Sequence, residues 1–317
     1  MSSSNIAYSG SLEVSLNYLA RIPLWEDEKP WEMWTKTVPD GLGKRTNVQF
    51  ETVKGIVMQD VRDIPEGEKP TIEREGFEYL YHPFPVSNLP DVEIDEDATK
   101  RAAMTEYLSS MTALLRDHFH GTKAICYDWR VRKATPRSYD KNPTVFFRNV
   151  PDETEIREQL ITAAYNVHGD GAPNSFKKQL LYLLTPDEQY ELAQGKVRLQ
   201  AINMWRPVVD VVQLGPLAMC DCRSVAEEDW ESVDKVFDNW VEDSMYLKHS
   251  PRHQWYWLSN QTKNEVTIFS LWDSLRPDKK SASTAHCSFA LPGDLSNRQP
   301  RQSIEMRLLL WSKVPDV

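Results

Sequence analysis

Cysteine and glycine are scarce in this sequence. Four cysteines in 317 residues are too few for the disulfide framework of a small secreted domain. The 12 glycines form neither a GxxxxGK[ST] phosphate loop nor a GxGxxG dinucleotide fingerprint. These absences exclude the common kinase, ATPase and dinucleotide-binding classes. They also favour a compartment in which thiols stay reduced, which we expect to be the cytoplasm.

Long apolar runs and an excess of basic residues are absent as well. No stretch reaches the roughly 18 apolar residues of a membrane span, and the residues from Met1 to Asn5 do not resemble a secretory signal. The balance of 37 basic against 47 acidic residues leaves a net charge of −10. Because surfaces that bind phosphates or anionic lipids are usually basic, we expect neither nucleic acid nor a membrane as a partner.

The composition that is present suits a globular protein, with 40% hydrophobic and 26% charged residues. The length allows two domains or one elaborated domain. We interpret residues 1–317 as a single domain. In this interpretation residues 1–48, rich in tryptophan and proline, form an N-terminal arm, and residues 49–311 form a core with helical insertions.

The hydrophobic periodicity changes along the chain from helical to extended. Apolar residues near helical spacing predict a helix over 98–118, and weaker patterns predict helices over 152–160, 174–184 and 186–194. Strands are predicted over 49–62 and 122–133, followed by six short candidates from 197 onward, whereas 63–97 reads as irregular. Helices followed by many short strands predict a mainly β fold with flanking helices. We expect an antiparallel jelly roll, that is, a double-stranded β-helix.

One histidine stands in an H-x-D arrangement, His168-Gly169-Asp170. In extended chain, residues i and i+2 point to the same side, so an imidazole and a carboxylate converge. A second histidine would complete the facial triad that holds non-haem Fe(II) and leaves coordination positions open. The candidate is His286, which lies on a predicted strand. A lone H-x-D tripeptide is more often a surface turn, and a lone histidine more often part of the core.

The strand that follows His286 opens with Arg301-Gln302-Ser303. Arg301 and Ser303 point the same way, and a guanidinium fork beside a hydroxyl is a good receptor for a carboxylate. Taken alone, such a pair is usually a surface ion pair. The order of an H-x-D motif, a distant histidine and then R-x-S is that of Fe(II)/2-oxoglutarate oxygenases.

Four longer stretches carry a family resemblance: NMWRP at 203–207, GPLAMCD at 215–221, QWYW at 254–257 and PRQSIEMR at 300–307. Over about residues 50–311 the chain resembles the oxygenase family of the cephem 7α-hydroxylase, the fungal gibberellin desaturase and the meroterpenoid endoperoxidase. The resemblance implies a double-stranded β-helix that uses Fe(II), 2-oxoglutarate and O2. It also implies iron ligands at His168, Asp170 and His286, with Arg301 and Ser303 on the distal carboxylate of 2-oxoglutarate.

The implied activity is oxidation of a small specialised metabolite or an amino-acid-derived substrate, by hydroxylation, desaturation or ring formation, with release of succinate and CO2. Further candidates lie near these motifs. Asn203 and Arg206 are candidate 2-oxoglutarate contacts, although Arg206 could equally be structural. Arg307 is a candidate substrate contact, or the partner of an acid such as Glu265. Substrate contacts are also predicted for Trp129, Arg130 and Arg132, on a strand that we expect to turn Ile125, Tyr127, Trp129 and Val131 to one face.

Two other functions stay open at this stage. An iron-dependent isomerase or oxygenase would keep the metal but not use 2-oxoglutarate, and Arg301 would then bind substrate or serve no purpose. A non-catalytic jelly-roll protein would use the same cavity to bind a small molecule. The tryptophan-rich N-terminal segment makes a homodimer a reasonable expectation.

Overall fold

Two β-sheets and one long helix dominate the computed structural model, which describes residues 8, 10–35, 42–86, 98–133, 164–293 and 298–314. The chain forms fourteen strands in this part: β1 (Leu12–Leu19), β2 (Trp31–Met33), β3 (Phe50–Asp60), β4 (Phe77–Tyr81), β5 (Lys123–Lys133), β6 (His168–Gly169), β7 (Val197–Pro207), β8 (Leu217–Cys220), β9 (Trp230–Val236), β10 (Val241–Leu247), β11 (Trp255–Trp257), β12 (Glu265–Asp273), β13 (His286–Ser288) and β14 (Gln302–Lys313).

The strands divide into a nine-stranded and a five-stranded sheet. The larger sheet has the order β1-β3-β11-β8-β13-β6-β10-β9-β2, and the smaller has the order β4-β12-β7-β14-β5. Neighbouring strands are antiparallel except for β11 with β3 and β2 with β9. Two curled, mostly antiparallel sheets of this kind are the predicted jelly roll, and that prediction is confirmed.

The segment predicted as an N-terminal arm contributes to both edges of the larger sheet. Its strand β1 pairs with β3 along one edge, from Leu12 opposite Met58 to Leu19 opposite Phe50. Its strand β2 pairs with β9 along the other edge. Strands β1 and β2 therefore complete the sheet at its edges.

The described residues also form four α-helices: α1 (Leu24–Asp27), α2 (Ala98–His118), α3 (Pro173–Leu183) and α4 (Pro186–Ala193). Helix α4 begins with a capping box, in which the Thr185 hydroxyl accepts from the Glu188 amide and the Glu188 carboxylate accepts from the Thr185 amide. In the described part of the chain, no helix is both long and apolar enough to cross a membrane.

The side chains of β14 alternate between the two faces of the smaller sheet. On β14, Ile304, Met306, Leu308 and Leu310 face α2, where they pack with Met104, Tyr107, Met111 and Leu115. The intervening Leu309 and Trp311 join a cluster that also includes residues of the larger sheet, such as Met219. The inner face therefore closes the core between the sheets, while the outer face is covered by helix α2.

A β-bulge in β5 changes which side chains face inward. Register shifts between Arg307 and Leu308, which pair with Asp128 and Cys126 respectively, so Tyr127 is the extra residue. Ile125 and Tyr127 join the cluster between the sheets, whereas Trp129 and Val131 join the cluster beneath α2. The prediction that these four share a face is wrong because the bulge inverts the alternation.

The predicted helix over 98–118 is confirmed, as are those at 174–184 and 186–194 within a residue or so at each end. Strand β4 lies within 63–97, so the prediction of irregular structure is wrong there. Strands β9 and β10 went unpredicted because their sequences, WESVDKV and VEDSMYL, are rich in acidic residues. The helix predicted over 152–160 lies outside the described residues.

The contact between α2 and the smaller sheet predicts a large stability cost for truncating a buried helix residue. Leu115 is fully buried among residues of this contact. We expect Leu115→Ala to lower the free energy of unfolding by about 2–5 kcal/mol, because the truncation removes buried methyl groups and leaves a cavity. Urea denaturation measures this change. Tyr182→Ala, at a side chain that is 89% exposed, is the control and should change stability by less than about 0.5 kcal/mol.

Candidate active site

Two histidines face each other across neighbouring strands of the larger sheet. His168 on β6 pairs directly with His286 on β13, and their ring centroids lie 4.3 Å apart. Directly opposed residues of antiparallel strands have their Cβ atoms about 5 Å apart, so the pairing itself brings the imidazoles together. Strand β6 is only two residues long, and its pairing with β13 is sufficient to position His168.

Gly169 lets β6 fit between its neighbours. A Cβ at this position would lie 3.0 Å from the Ser283 hydroxyl and 3.1 Å from the Trp230 ring. Because alternate residues face opposite sides of the sheet, Gly169 turns toward this packed side while His168 and Asp170 turn toward the other. The small middle residue of the H-x-D motif therefore follows from local packing.

Asp170 completes a cluster with the two imidazoles. One carboxylate oxygen, Oδ1, lies 3.9 Å from His168 Nε2, and the other, Oδ2, lies 3.8 Å from His286 Nε2. The ligand atoms of the three residues all lie within 4.8 Å of one another. Their side chains are between 5% and 12% exposed. In the described residues this is the group of histidine and carboxylate side chains that could hold a metal ion.

Both imidazoles are oriented by backbone carbonyls. His168 Nδ1 lies 2.8 Å from the carbonyl oxygen of Asn166, and His286 Nδ1 lies 3.0 Å from that of Thr284. A carbonyl accepts only, so each Nδ1 carries the proton and donates. Each Nε2 is then the ring nitrogen directed toward Asp170, which is the orientation that a metal-ligating histidine takes when its other nitrogen donates to a carbonyl.

The charge states of the cluster suit cation binding. Burial, and then the neighbouring His286, lower the pKa of His168 to about 3, so the imidazole is neutral at physiological pH. Burial alone raises the pKa of the Asp170 carboxyl, but the positive charge of Arg307 opposes this effect and holds that pKa well below its usual value. The cluster therefore combines a neutral imidazole nitrogen from His168 with an anionic oxygen from Asp170.

Two side chains from the smaller sheet donate to the Asp170 carboxylate. Arg307 on β14 donates from Nη2 to Oδ1 over 3.0 Å, and Asn203 on β7 donates from Nδ2 to Oδ2 over 2.9 Å. These two residues are directly paired across β7 and β14. The aspartate thus lies where the two sheets meet, with its own strand on one side and a donor pair from the facing sheet on the other.

Behind Asp170 the inner face carries a chain of alternating charges. Arg307 lies 3.2 Å from Asp128 and 3.3 Å from Glu305, and Glu305 accepts from Arg132 over 2.8 Å. Arg130 lies 3.3 Å from Asp128 at the more exposed end. Burial raises the pKa of Glu305, but Arg132 and Arg307 outweigh it and lower the pKa to about 2. The Glu305 carboxylate is therefore ionised.

Arg301 and Ser303 lie further along the same inner face, and both are buried. Arg301 donates to the Gly215 carbonyl, and to the Ser288 hydroxyl over 2.7 Å, while its guanidinium lies 5.2 Å from the Trp205 ring centroid. The Ser303 hydroxyl has no hydrogen-bond partner in the described part of the chain. Ser288 follows His286 by two residues, so Arg301 borders the histidine cluster.

Two predicted site residues lie on the opposite face of the smaller sheet. Arg206 donates to the carbonyls of Lys263 and His82 and stacks on Phe84, 5.0 Å from its centroid. Its predicted 2-oxoglutarate contact is corrected to a structural role, because Arg206 is an odd number of strand positions from Asn203 and faces outward. Trp129 packs beneath α2, so the bulge in β5 also removes its predicted place in the pocket.

The remaining predicted residues lie on the inner face. Arg130 and Arg132 pair with Glu305 and Ser303 across β5 and β14. Arg307 was predicted to contact substrate or to pair with an acid such as Glu265. It pairs with Asp170, Asp128 and Glu305, whereas Glu265 pairs with Arg62. Asn203 contacts Asp170.

Sequence reasoning missed several inner-face residues. The sequence does indicate that Glu305 shares a face with Arg307, because the two residues lie two positions apart in a strand and the residues between and beside them are apolar. No sequence pattern indicates the positions of Asp128 and Tyr127, because the bulge changes the face of the sheet on which they lie. The Tyr127 hydroxyl is buried without a hydrogen-bond partner in the described residues, and burial raises its pKa.

The lowered pKa of His168 predicts a pH dependence of stability in the metal-free protein. Its pKa is about 3 when folded and about 6.5 when unfolded. Below pH 6.5 the unfolded chain therefore binds a proton that the folded protein does not. The free energy of unfolding consequently decreases as the pH is lowered. From pH 7 to pH 5 we expect the wild type to lose about 2 kcal/mol more than His168→Gln does. Denaturation curves at both pH values measure this difference, and equal losses in the two proteins contradict it.

Comparison with known proteins places the chain in a family. The family model described as "Oxidoreductase/YMDC permease-like domain" matches residues 16–311. An Fe(II)/2-oxoglutarate-dependent dioxygenase from Aspergillus novofumigatus, nvfI, is 26% identical over 283 residues, which cover 88% of this chain and 91% of that protein. A gibberellin cluster GA4 desaturase from Gibberella fujikuroi is 34% identical over 126 residues, which cover 37% of this chain and 36% of that protein.

A solved structure agrees with these matches. The iron and α-ketoglutarate-dependent endoperoxidase NvfI superimposes with a TM-score of 0.72 at 23% identity, covering 97% of this chain and all of the NvfI chain. The fold is therefore that of NvfI. The resemblance noted from the sequence to a gibberellin desaturase and an endoperoxidase is confirmed, and the relatives support the oxygenase interpretation over the two alternatives. The chain belongs to this oxidoreductase family, among Fe(II)/2-oxoglutarate-dependent oxygenases.

Proposed function

We propose that the protein is an Fe(II)/2-oxoglutarate-dependent oxygenase that oxidises a small molecule of specialised metabolism. The observation that carries this proposal is the convergence of two oriented imidazole Nε2 atoms and one buried carboxylate in a cluster less than 5 Å across. Two histidines and one carboxylate are the donor set of facial-triad Fe(II) oxygenases, which leave three positions for co-substrate and O2.

His168, Asp170 and His286 would hold the metal. The fit rests on their chemistry: both imidazoles are oriented by carbonyls, and the His168 imidazole is neutral beside an ionised Asp170. Fe(II), 2-oxoglutarate and O2 would supply the oxidising chemistry when bound, with O2 as the oxidant and 2-oxoglutarate converted to succinate and CO2. The residues of this chain bind, orient and exclude water.

Arg301 and Ser303 would bind the distal carboxylate of 2-oxoglutarate. Arg301 contacts Ser288, which lies two strand residues, or about 7 Å, from His286. That spacing suits a short dicarboxylate that has one end at the histidine cluster and the other at a guanidinium. The Ser303 hydroxyl, buried without a partner in the described residues, is available as a donor to the same carboxylate.

Apolar side chains would keep water from the reacting groups. Phe269 packs against His286, with ring centroids 4.6 Å apart, and Trp205 covers Arg301. Both belong to the cluster between the sheets, which also includes Phe77 and Met219. A dry surrounding strengthens each charge contact within the site and prevents a reactive species from being quenched by solvent.

The substrate and the oxidative outcome remain predictions. Similar proteins are named as a desaturase and an endoperoxidase, so hydroxylation, desaturation and ring formation are all within the family's range. The position of the substrate C–H bond decides among them. Arg130 and Arg132 are the candidates for substrate contact on the inner face. Because both sheets supply residues to one site, we treat 1–317 as one domain.

An anaerobic titration tests this proposal. Metal-depleted protein receives Fe(II) and then 2-oxoglutarate, and we expect a visible metal-to-ligand charge-transfer band. Arg301→Lys should weaken 2-oxoglutarate binding about tenfold or more, because an ammonium group lacks the fork that binds a carboxylate through two parallel hydrogen bonds. Asp170→Ala should abolish the band.

Arg206→Gln is the matched control, since Arg206 is a buried arginine on the outer face of the same sheet and should leave 2-oxoglutarate affinity unchanged. Iron binding without a band contradicts the 2-oxoglutarate assignment, and absence of iron binding contradicts the metal site. Succinate released in step with substrate consumption under O2 excludes a redox-neutral isomerase.

A further inference from the structure

Two side chains of the smaller sheet hold the Asp170 carboxylate without any contribution from a metal. Oδ1 accepts from the Arg307 guanidinium, and Oδ2 accepts from the Asn203 amide. The side chains of Asp170 and Arg307 are 5% and 13% exposed, so this is an ion pair within the core. A buried carboxylate is costly unless a positive charge compensates it, and here that charge is already supplied by the protein.

A divalent cation at the histidine cluster would lie within a few ångströms of the same guanidinium. Arg307 Nη2 is 3.0 Å from Oδ1, which is itself 3.9 Å from His168 Nε2. Two positive groups that share one buried carboxylate repel each other strongly at low local dielectric. Arg307 therefore has two opposing effects, since it stabilises the metal-free fold and opposes the cation.

We propose that Arg307 is a positioning residue that holds Asp170 in the metal-free protein and limits the affinity of the site for divalent metal. This inference rests on the proposed function, because it concerns the same site.

Asp128 and Glu305 moderate the effect of Arg307. Both carboxylates lie within 3.3 Å of the guanidinium and compensate part of its charge. Asp128 is the more exposed of the two, with 34% of its side chain accessible. Removing the Asp128 charge leaves the guanidinium less compensated, which should weaken cation binding.

Mn(II) binding to metal-depleted protein tests the proposal, with free Mn(II) followed by electron paramagnetic resonance. We expect Arg307→Gln to bind Mn(II) about tenfold more tightly, because the repulsion is lost. The metal-free variant should at the same time melt at least about 4 °C lower, because a buried carboxylate loses its partner. Arg307→Lys keeps the charge and should stay within about twofold of wild-type affinity. A purely structural role predicts lower stability together with weaker or unchanged Mn(II) binding, and that result overturns the proposal.

Arg198→Gln is the matched control. Arg198 lies on β7 and also bridges two carboxylates, those of Glu73 and Asp273. None of these residues belongs to the metal cluster or to the charge network behind it. Its substitution should lower the melting temperature and leave the Mn(II) dissociation constant unchanged. A comparable gain in affinity in this variant would show a general charge effect and overturn the assignment to Arg307.

Asp128→Asn provides a second route if Arg307→Gln does not fold. We expect it to weaken Mn(II) binding about threefold, because less of the guanidinium charge is compensated. Stronger or unchanged binding overturns the proposal. Where both variants fold, the double variant should lose most of the Asp128→Asn effect, since that effect acts through Arg307. Failure of the wild type to bind Mn(II) contradicts the proposed metal site itself, whereas binding that Arg307→Gln leaves unchanged contradicts only this inference.

Discussion

The candidate site depends on the register between β6 and β13. His168 lies directly opposite His286, and both neighbours of His168 in sequence, Val167 and Gly169, face the other side of the sheet. Because side chains alternate with a period of two, a slip of one residue would replace an imidazole by Val167 or Gly169 at the centre. The close packing of Gly169 against Trp230 and Ser283 opposes such a slip. Everything else in the site is arranged around this pair.

Buried charge imposes the next constraint. A buried carboxylate beside two imidazoles needs compensation, and the facing sheet supplies it through Arg307 and Asn203. Arg307 in turn needs more than one anion, which explains why Asp128 and Glu305 adjoin it. The charges are thus extended outward along the inner face until they reach the half-exposed Arg130. This extension joins the two sheets by electrostatics as well as by apolar packing.

Much of this arrangement was predictable from the sequence. The face shared by His168 and Asp170 and the face shared by Arg301 and Ser303 follow from period-two alternation. The jelly roll follows from helices that precede many short strands. The same rule could have separated Arg206 from Asn203, since they lie three positions apart. Trp129 and Asp128 could not be assigned, because a one-residue bulge is invisible in the sequence and inverts the faces of a strand beyond it. Strands β9 and β10 escaped prediction because acidic residues obscured their pattern.

Hydrophobic patterning alone does not fully specify the register of β14. A slip of two residues would keep Ile304, Met306 and Leu308 against α2 and would leave the apolar alternation intact. It would, however, bring Glu305 or Leu309 opposite Asn203 in place of Arg307. Asp170 would then face a second carboxylate or an alkyl group, and either leaves a buried charge uncompensated, at a cost of several kcal/mol. The ion pair between Arg307 and Asp170 therefore favours one register over others that apolar packing would allow equally. The contact that moderates the candidate metal site thus also aligns the two sheets that form it.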